Sequence, residues 1–191
     1  MNFLFHLYLS GDDPDLLAGN LAGDFVKGRL LDGRYPPGIT RGIRLHRGID
    51  SFAAGNRWFR QSRQSLHPSF GLYRGVLVDL FYDHFLARDW DEHCAVPLDE
   101  YLAAARRLVT EREAFLPDRL VRVVPAIFDE LLPSYDRREG VEKALLRMSR
   151  RLRRENPLAA GIGELDRHCC ALEEEFRAFL PEVSEYAHRF R

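Results

Sequence analysis

The chain has only three cysteines, Cys94, Cys169 and Cys170, and no C-x-x-C. An odd count without framework spacing argues against a secreted disulfide scaffold or a zinc ribbon and points to a reducing compartment. There is almost no net charge, −1 over 191 residues. The molecule as a whole therefore lacks the charge excess of a nucleic-acid binder, and any electrostatic partner must be met by a local patch. The opening MNFLFHLYLSGDD has no basic segment and is too short for a signal peptide or a membrane span. It reads as a buried first helix of a cytoplasmic protein that has no contact with membranes. No segment alternates with period two between hairpin turns, so no strand is expected. The G-x-S-x-G, P-loop and G-x-G-x-x-G signatures are absent, as are internal repeats and linkers.

What remains is 46% hydrophobic and 30% charged, ordinary for a globular domain and long enough to bury one core. Helical periodicity runs throughout. The punctuation places helices near 2–9, 13–30, 38–54, 56–65, 71–88, 98–115, 117–134, 138–155 and 163–190, with a break expected at Pro181. The expected fold is all-α, one multi-helix bundle over 1–191.

Three of these helices carry polar pairs among apolar residues. In AGNLAGDFVKG, Asn20 and Asp24 are four apart, and so are Gly19 and Gly23. Two glycines inside a helix cost about 1 kcal/mol each relative to alanine, which close approach of another helix would explain. In GITRGIRLHRGIDSFAAG, His46 and Asp50 project onto the inward face with Ile39, Gly42, Ile43 and Ala53. In GVLVDLFYDHFL, Asp79 and Asp83 share a face of a very apolar helix, and His84 lies about 100° round from Asp83. A buried carboxylate is costly unless paired or bound to a metal. Any one pair alone reads as a satisfied core ion pair. Three together offer carboxylates and imidazoles suited to Mn²⁺, Mg²⁺ or Fe²⁺ rather than structural zinc. His6, alone in an apolar segment, reads first as a core histidine.

A basic run extends from Arg137 to Arg154. Val141, Ala144, Leu145, Met148 and Leu152 form its apolar stripe. Arg147, Arg150, Arg151 and Arg154 recur at i, i+3, i+4 and i+7 on the other side, as a solvated face or a docking face for an acidic partner. The stripe has no aromatic residue, which argues against single-stranded nucleic acid.

The segments MNFLFHLYLS, GNLAGDFVKG, GIRLHRGIDSF and VLVDLFYDHFLARDW resemble the acyl carrier protein phosphodiesterase family, strongly over the first ninety residues and more loosely beyond. The resemblance implies an all-helical, metal-dependent hydrolase distantly similar to the HD-domain phosphohydrolases. Such an enzyme removes 4′-phosphopantetheine from holo-acyl carrier protein, with Mn²⁺ as the expected metal. It implies metal roles for Asp24, His46, Asp79, Asp83 and His84, and catalytic roles for Asp24, Asp50 and Asp83, with His6 and Asn20 as supporting neighbours. The order Asp83-His84 inverts the His-Asp pair of HD proteins, so the positions carry over as a set. Because carrier proteins are acidic, the stripe Arg147, Arg150, Arg151 and Arg154 becomes the expected docking face. Two other readings remain: an HD-like phosphohydrolase for a nucleotide or other small phosphate ester, and a helical adaptor without catalysis. The oligomeric state is left open.

Overall fold

The computed structural model describes residues 1–30 and 33–190, and among these the regular structure is entirely helical. The main helices are α1 (Phe3–Leu9), α2 (Pro14–Ala22), α3 (Pro37–Gly55), α4 (Arg57–Ser65), α5 (Tyr73–Arg88) and α6 (Leu98–Thr110). After the short α7 (Asp118–Val121) and α8 (Val124–Ala126) come α9 (Arg138–Arg151) and α10 (Ile162–His188). No helix among the described residues is long and apolar enough to cross a membrane.

The starts follow local chemistry. The Asp13 carboxylate accepts the backbone N–H groups of Asp15 and Leu16, both at 3.0 Å, with Pro14 in the first turn of α2. Asn56 accepts the Trp58 N–H at 2.9 Å and starts α4.

Helix α5 is the hub. Leu77, Val78, Leu80, Phe81, Tyr82, Phe85 and Leu86 are buried, and α1, α4, α9 and α10 pack around them. Burying each such side chain stabilises the fold by about 1.5–3 kcal/mol. Phe5, Tyr82, Phe176 and Phe179 interlock beside it, with Tyr82 and Phe176 centroids 5.5 Å apart at 69°. Helices α2 and α3 cross closely. A Cβ on Gly19 would strike the Ile39 carbonyl, and one on Gly42 would strike the Leu16 carbonyl. Gly19 thus marks a helix contact, as its spacing with Gly23 predicted, and Gly42 is its counterpart on α3.

Four expectations need correction. The helix expected over 13–30 ends at Ala22, and a 3₁₀ turn, Gly23–Phe25, takes Asp24 off the face of Asn20. The helix expected over 117–134 is instead a series of short pieces containing a π turn at Ile127–Leu131. Pro125 and Pro133 bracket that turn, and each removes an N–H from the ladder. Helix α9 stops at Arg151, so Arg154 lies beyond the stripe and Leu152 is exposed. Finally, α10 continues through Pro181. The proline is exposed, so the carbonyl that loses its partner can face water, while buried Phe179, Leu180 and Val183 hold the helix down.

Candidate active site

Helices α1, α3 and α5 and the turn that follows α2 converge on one cluster. His46 comes from the inward face of α3. Its Nδ1 donates to the Asn20 carbonyl at 2.8 Å, which fixes the ring and turns Nε2 toward two carboxylates. Asp24 Oδ1 lies 3.5 Å from that nitrogen and Asp50 Oδ2 3.3 Å from it. His6, from α1, stacks on His46 with centroids 3.8 Å apart, and its Nε2 lies 3.4 Å from Asp50 Oδ1. The Met1 ammonium sits 2.6 Å from Asp50 Oδ1 and 3.4 Å from Asp79 Oδ1. Gly23 closes the back of the cluster, where a Cβ would enter the His46 ring.

Asn20 supports this arrangement from behind. Its Nδ2 donates to the His6 carbonyl and to Ser10 Oγ, both at 2.8 Å. It therefore ties α1 to α2 and, through its own carbonyl, to the His46 ring.

The cluster's electrostatics follow from burial and proximity. Burial pulls the His46 pKa down, but Asp24 and Asp50 outweigh it and raise it to about 9. Burial and the neighbouring His46 lower His6 to about 4. Burial opposes ionisation of Asp50, yet His46, His6 and the Met1 ammonium hold it far below the usual carboxylate range. Asp24 is likewise lowered, burial being outweighed by His46. Asp79 is raised by burial, against the pull of the Met1 ammonium.

The sequence-derived set divides here. Asp24, His46, Asp50 and Asp79 come together, and His6 joins them in the cluster itself. Asp83 and His84, expected as metal ligands, are held elsewhere. The carboxylate of Asp83 accepts the Leu4 N–H at 2.9 Å and the Phe5 N–H at 3.0 Å, so both oxygens cap the first turn of α1. Burial nevertheless raises Asp83 to about 7. His84 donates from Nδ1 to the Tyr135 carbonyl at 2.7 Å, and burial lowers its pKa.

The donor set fits a divalent cation. His6, His46 and Asp50 each offer a ligand atom within 4.8 Å of the others. Both His6 ring nitrogens and Asp79 Oδ1 are buried without a hydrogen bond among the described residues. Buried polar atoms are normally satisfied, so this concentration calls for a ligand.

The cluster opens onto a cleft of about 390 Å³ that is walled by Asp24, Asp50, Asp79, Phe3, Met148 and Arg151. Arg151 thus stands in the wall of the cleft as well as on the basic stripe. Arg147 pairs with Glu130 at 2.6 Å. Sequence reasoning missed the Met1 ammonium, which no spacing rule can place. It also gave His6 too small a part, although a lone imidazole in FLFHLYL was the available signal.

Comparison with known proteins gives a consistent picture. The profile of the family described as acyl carrier protein phosphodiesterase matches residues 1–183. Curated proteins named acyl carrier protein phosphodiesterase are similar along the whole chain. The protein from Escherichia coli O6:H1 is 31% identical over 99% of this chain and 98% of its own. That from Klebsiella pneumoniae subsp. pneumoniae is 31% identical over 98% and 97%. That from Salmonella dublin is 32% identical over 99% and 98%. No solved structure matches.

Proposed function

The chain belongs to the acyl carrier protein phosphodiesterase family, and from that premise we propose that it hydrolyses the phosphodiester joining 4′-phosphopantetheine to the serine of holo-acyl carrier protein, at the His6–His46–Asp50 cluster with a divalent cation, Mn²⁺ first. The observation that carries this reading is the His6–His46–Asp50 donor set, with both His6 ring nitrogens buried and without a hydrogen bond, directly behind a cleft walled by Asp24, Asp50 and Asp79, in a chain of this family.

His6, His46 and Asp50 would hold the cation, with Asp24 and Asp79 on its flanks. When bound, it supplies a Lewis acid for the phosphoryl oxygens and for the attacking water. The remaining steps belong to the chain. Asp24 is the more exposed carboxylate of the His46 pair, 54% against 42% for Asp50, and stays ionised. It would take the proton of a water entering from the cleft, and as the water oxygen joins phosphorus the bond to the carrier serine would break, the serine oxygen leaving with a proton. The Asn20 carbonyl keeps His46 in one tautomer and orientation. The Met1 ammonium offsets the charge of Asp50 and Asp79. Arg151 reaches the same cleft and orients the anionic diester, while Arg150 and Arg151 meet the acidic carrier.

Mass spectrometry of a holo-carrier protein tests the reading. Incubation with the enzyme and Mn²⁺ should remove the whole phosphopantetheine arm and leave apo-carrier, and a chelator should stop the loss. An unchanged carrier mass with Mn²⁺-loaded enzyme rejects it.

A further inference from the structure

A second cleft, of about 320 Å³, lies against the first. The two share Phe3, Met148 and Arg151 as a common wall. Beyond that wall the lining changes character. Phe25, Val123, Ala126, Ile127 and Leu131 make it mainly apolar, Arg147 and Arg150 also line it, and no acidic residue does among the described residues. Its volume is in the range of small-molecule sites, roughly 300–1,000 Å³.

The backbone around this cleft is unusual. Ile127 and Leu131 begin and end the π turn, four residues apart, and both face the cleft. Such turns interrupt the ordinary ladder and occur often at functional sites. The Glu130–Arg147 pair ties this segment to α9. Both partners are about half exposed, so the pair is weak and can yield to a ligand.

We propose that this apolar cleft receives the distal, pantetheine part of the arm while its phosphate lies at the cluster. The proposal rests on the carrier-protein reading above. The substrate's own asymmetry supports it. One end of the arm is a charged diester, and the rest is an uncharged chain with a branched dimethyl carbon and a terminal thiol. The two clefts divide the same way: Asp24, Asp50 and Asp79 wall the first, aliphatic and aromatic side chains make up most of the second, and Arg151 stands between them. Binding energy gathered far from the reacting bond is a recognised source of substrate discrimination.

Ala126 offers the test, because it is half-buried on the cleft wall and outside the cluster. Free pantetheine, which has no phosphate, should inhibit arm release by the wild type competitively against holo-carrier. Ala126→Phe should fill the cleft and raise both the inhibition constant for pantetheine and the KM for holo-carrier by about tenfold or more, the scale of losing apolar pocket contacts. Mn²⁺ affinity in the same samples should not move. If Ala126→Phe fails to fold, pantetheine inhibition of the wild type decides alone. Absence of competitive inhibition, or a folded Ala126→Phe with unchanged constants, overturns the subsite while arm release by the wild type leaves the activity standing. A wild type that never releases the arm overturns both.

Discussion

Asp79 and Asp83 lie one turn apart on α5, and their surroundings differ sharply. Asp83 spends both oxygens on the first-turn amides of α1. Asp79 faces the cleft with a buried oxygen that accepts no hydrogen bond, 3.4 Å from the Met1 ammonium. One carboxylate completes a helix terminus, and the other sits in the cluster of His6, His46, Asp50 and Asp24, where both His6 nitrogens also lack a hydrogen bond. The difference shows how to sort buried charge. A carboxylate with its partners supplied by the fold serves stability, and one short of hydrogen bonds beside a cleft is the one to test for a ligand.

The contrast breaks most visibly at the cluster. Asp50→Asn should lower arm release by on the order of 10³-fold or more, the scale of a lost catalytic group, at temperatures where the variant stays folded. A variant with full activity removes Asp50 from the chemistry. Gly23→Ala comes next. Its methyl group would enter the His46 ring and displace it, and misplacement of about 1 Å costs on the order of 10²-fold. Kinetics at saturating Mn²⁺ measure it, and a wild-type rate would show that the ring position is not critical.

Asp83→Asn should act on stability. The amide cannot accept from both backbone N–H groups, and leaving one donor unsatisfied costs about 1–3 kcal/mol. The folded-state pKa of Asp83 is raised from 3.8 to about 7. A raised carboxyl contributes stability that is present in full below the unfolded pKa and is lost as pH rises through the folded one. The deficit of Asp83→Asn relative to wild type should therefore be largest near pH 4 and shrink toward pH 7. Denaturant midpoints across that range give the slope. A deficit that grows with pH contradicts the assignment. The smallest effect is expected at His84. His84→Ala should cost about 1 kcal/mol through the lost bond to the Tyr135 carbonyl and leave kcat and KM alone. A large kinetic loss would return His84 to the site.

Much of this was legible beforehand. The i, i+4 pairs in apolar helices located the cluster, and Gly19 with Gly23 announced close packing, because both signals are local. The split between Asp79 and Asp83 was not legible. The two residues share a helix face, and only the amides of α1, brought in by tertiary packing, tell them apart. The same limit applied to His6, whose partners lie on α3. Helix ends failed where competing forces decided them. Pro125 and Pro133 broke an expected helix, whereas Pro181 did not break α10, since its flanking side chains are buried. The stripe Arg147, Arg150, Arg151 and Arg154 was read from a helix that stops at Arg151, so Arg154 leaves it, while Arg147, Arg150 and Arg151 all line the second cleft.

Mn²⁺ binding, followed by calorimetry on the wild type, Asp50→Asn and Asp83→Asn, tests the division most directly. The account predicts that wild type and Asp83→Asn bind the ion with similar affinity, and that Asp50→Asn loses at least about tenfold, as expected for a removed ligand charge. Loss of the ion in folded Asp83→Asn, with retention in Asp50→Asn, would contradict it.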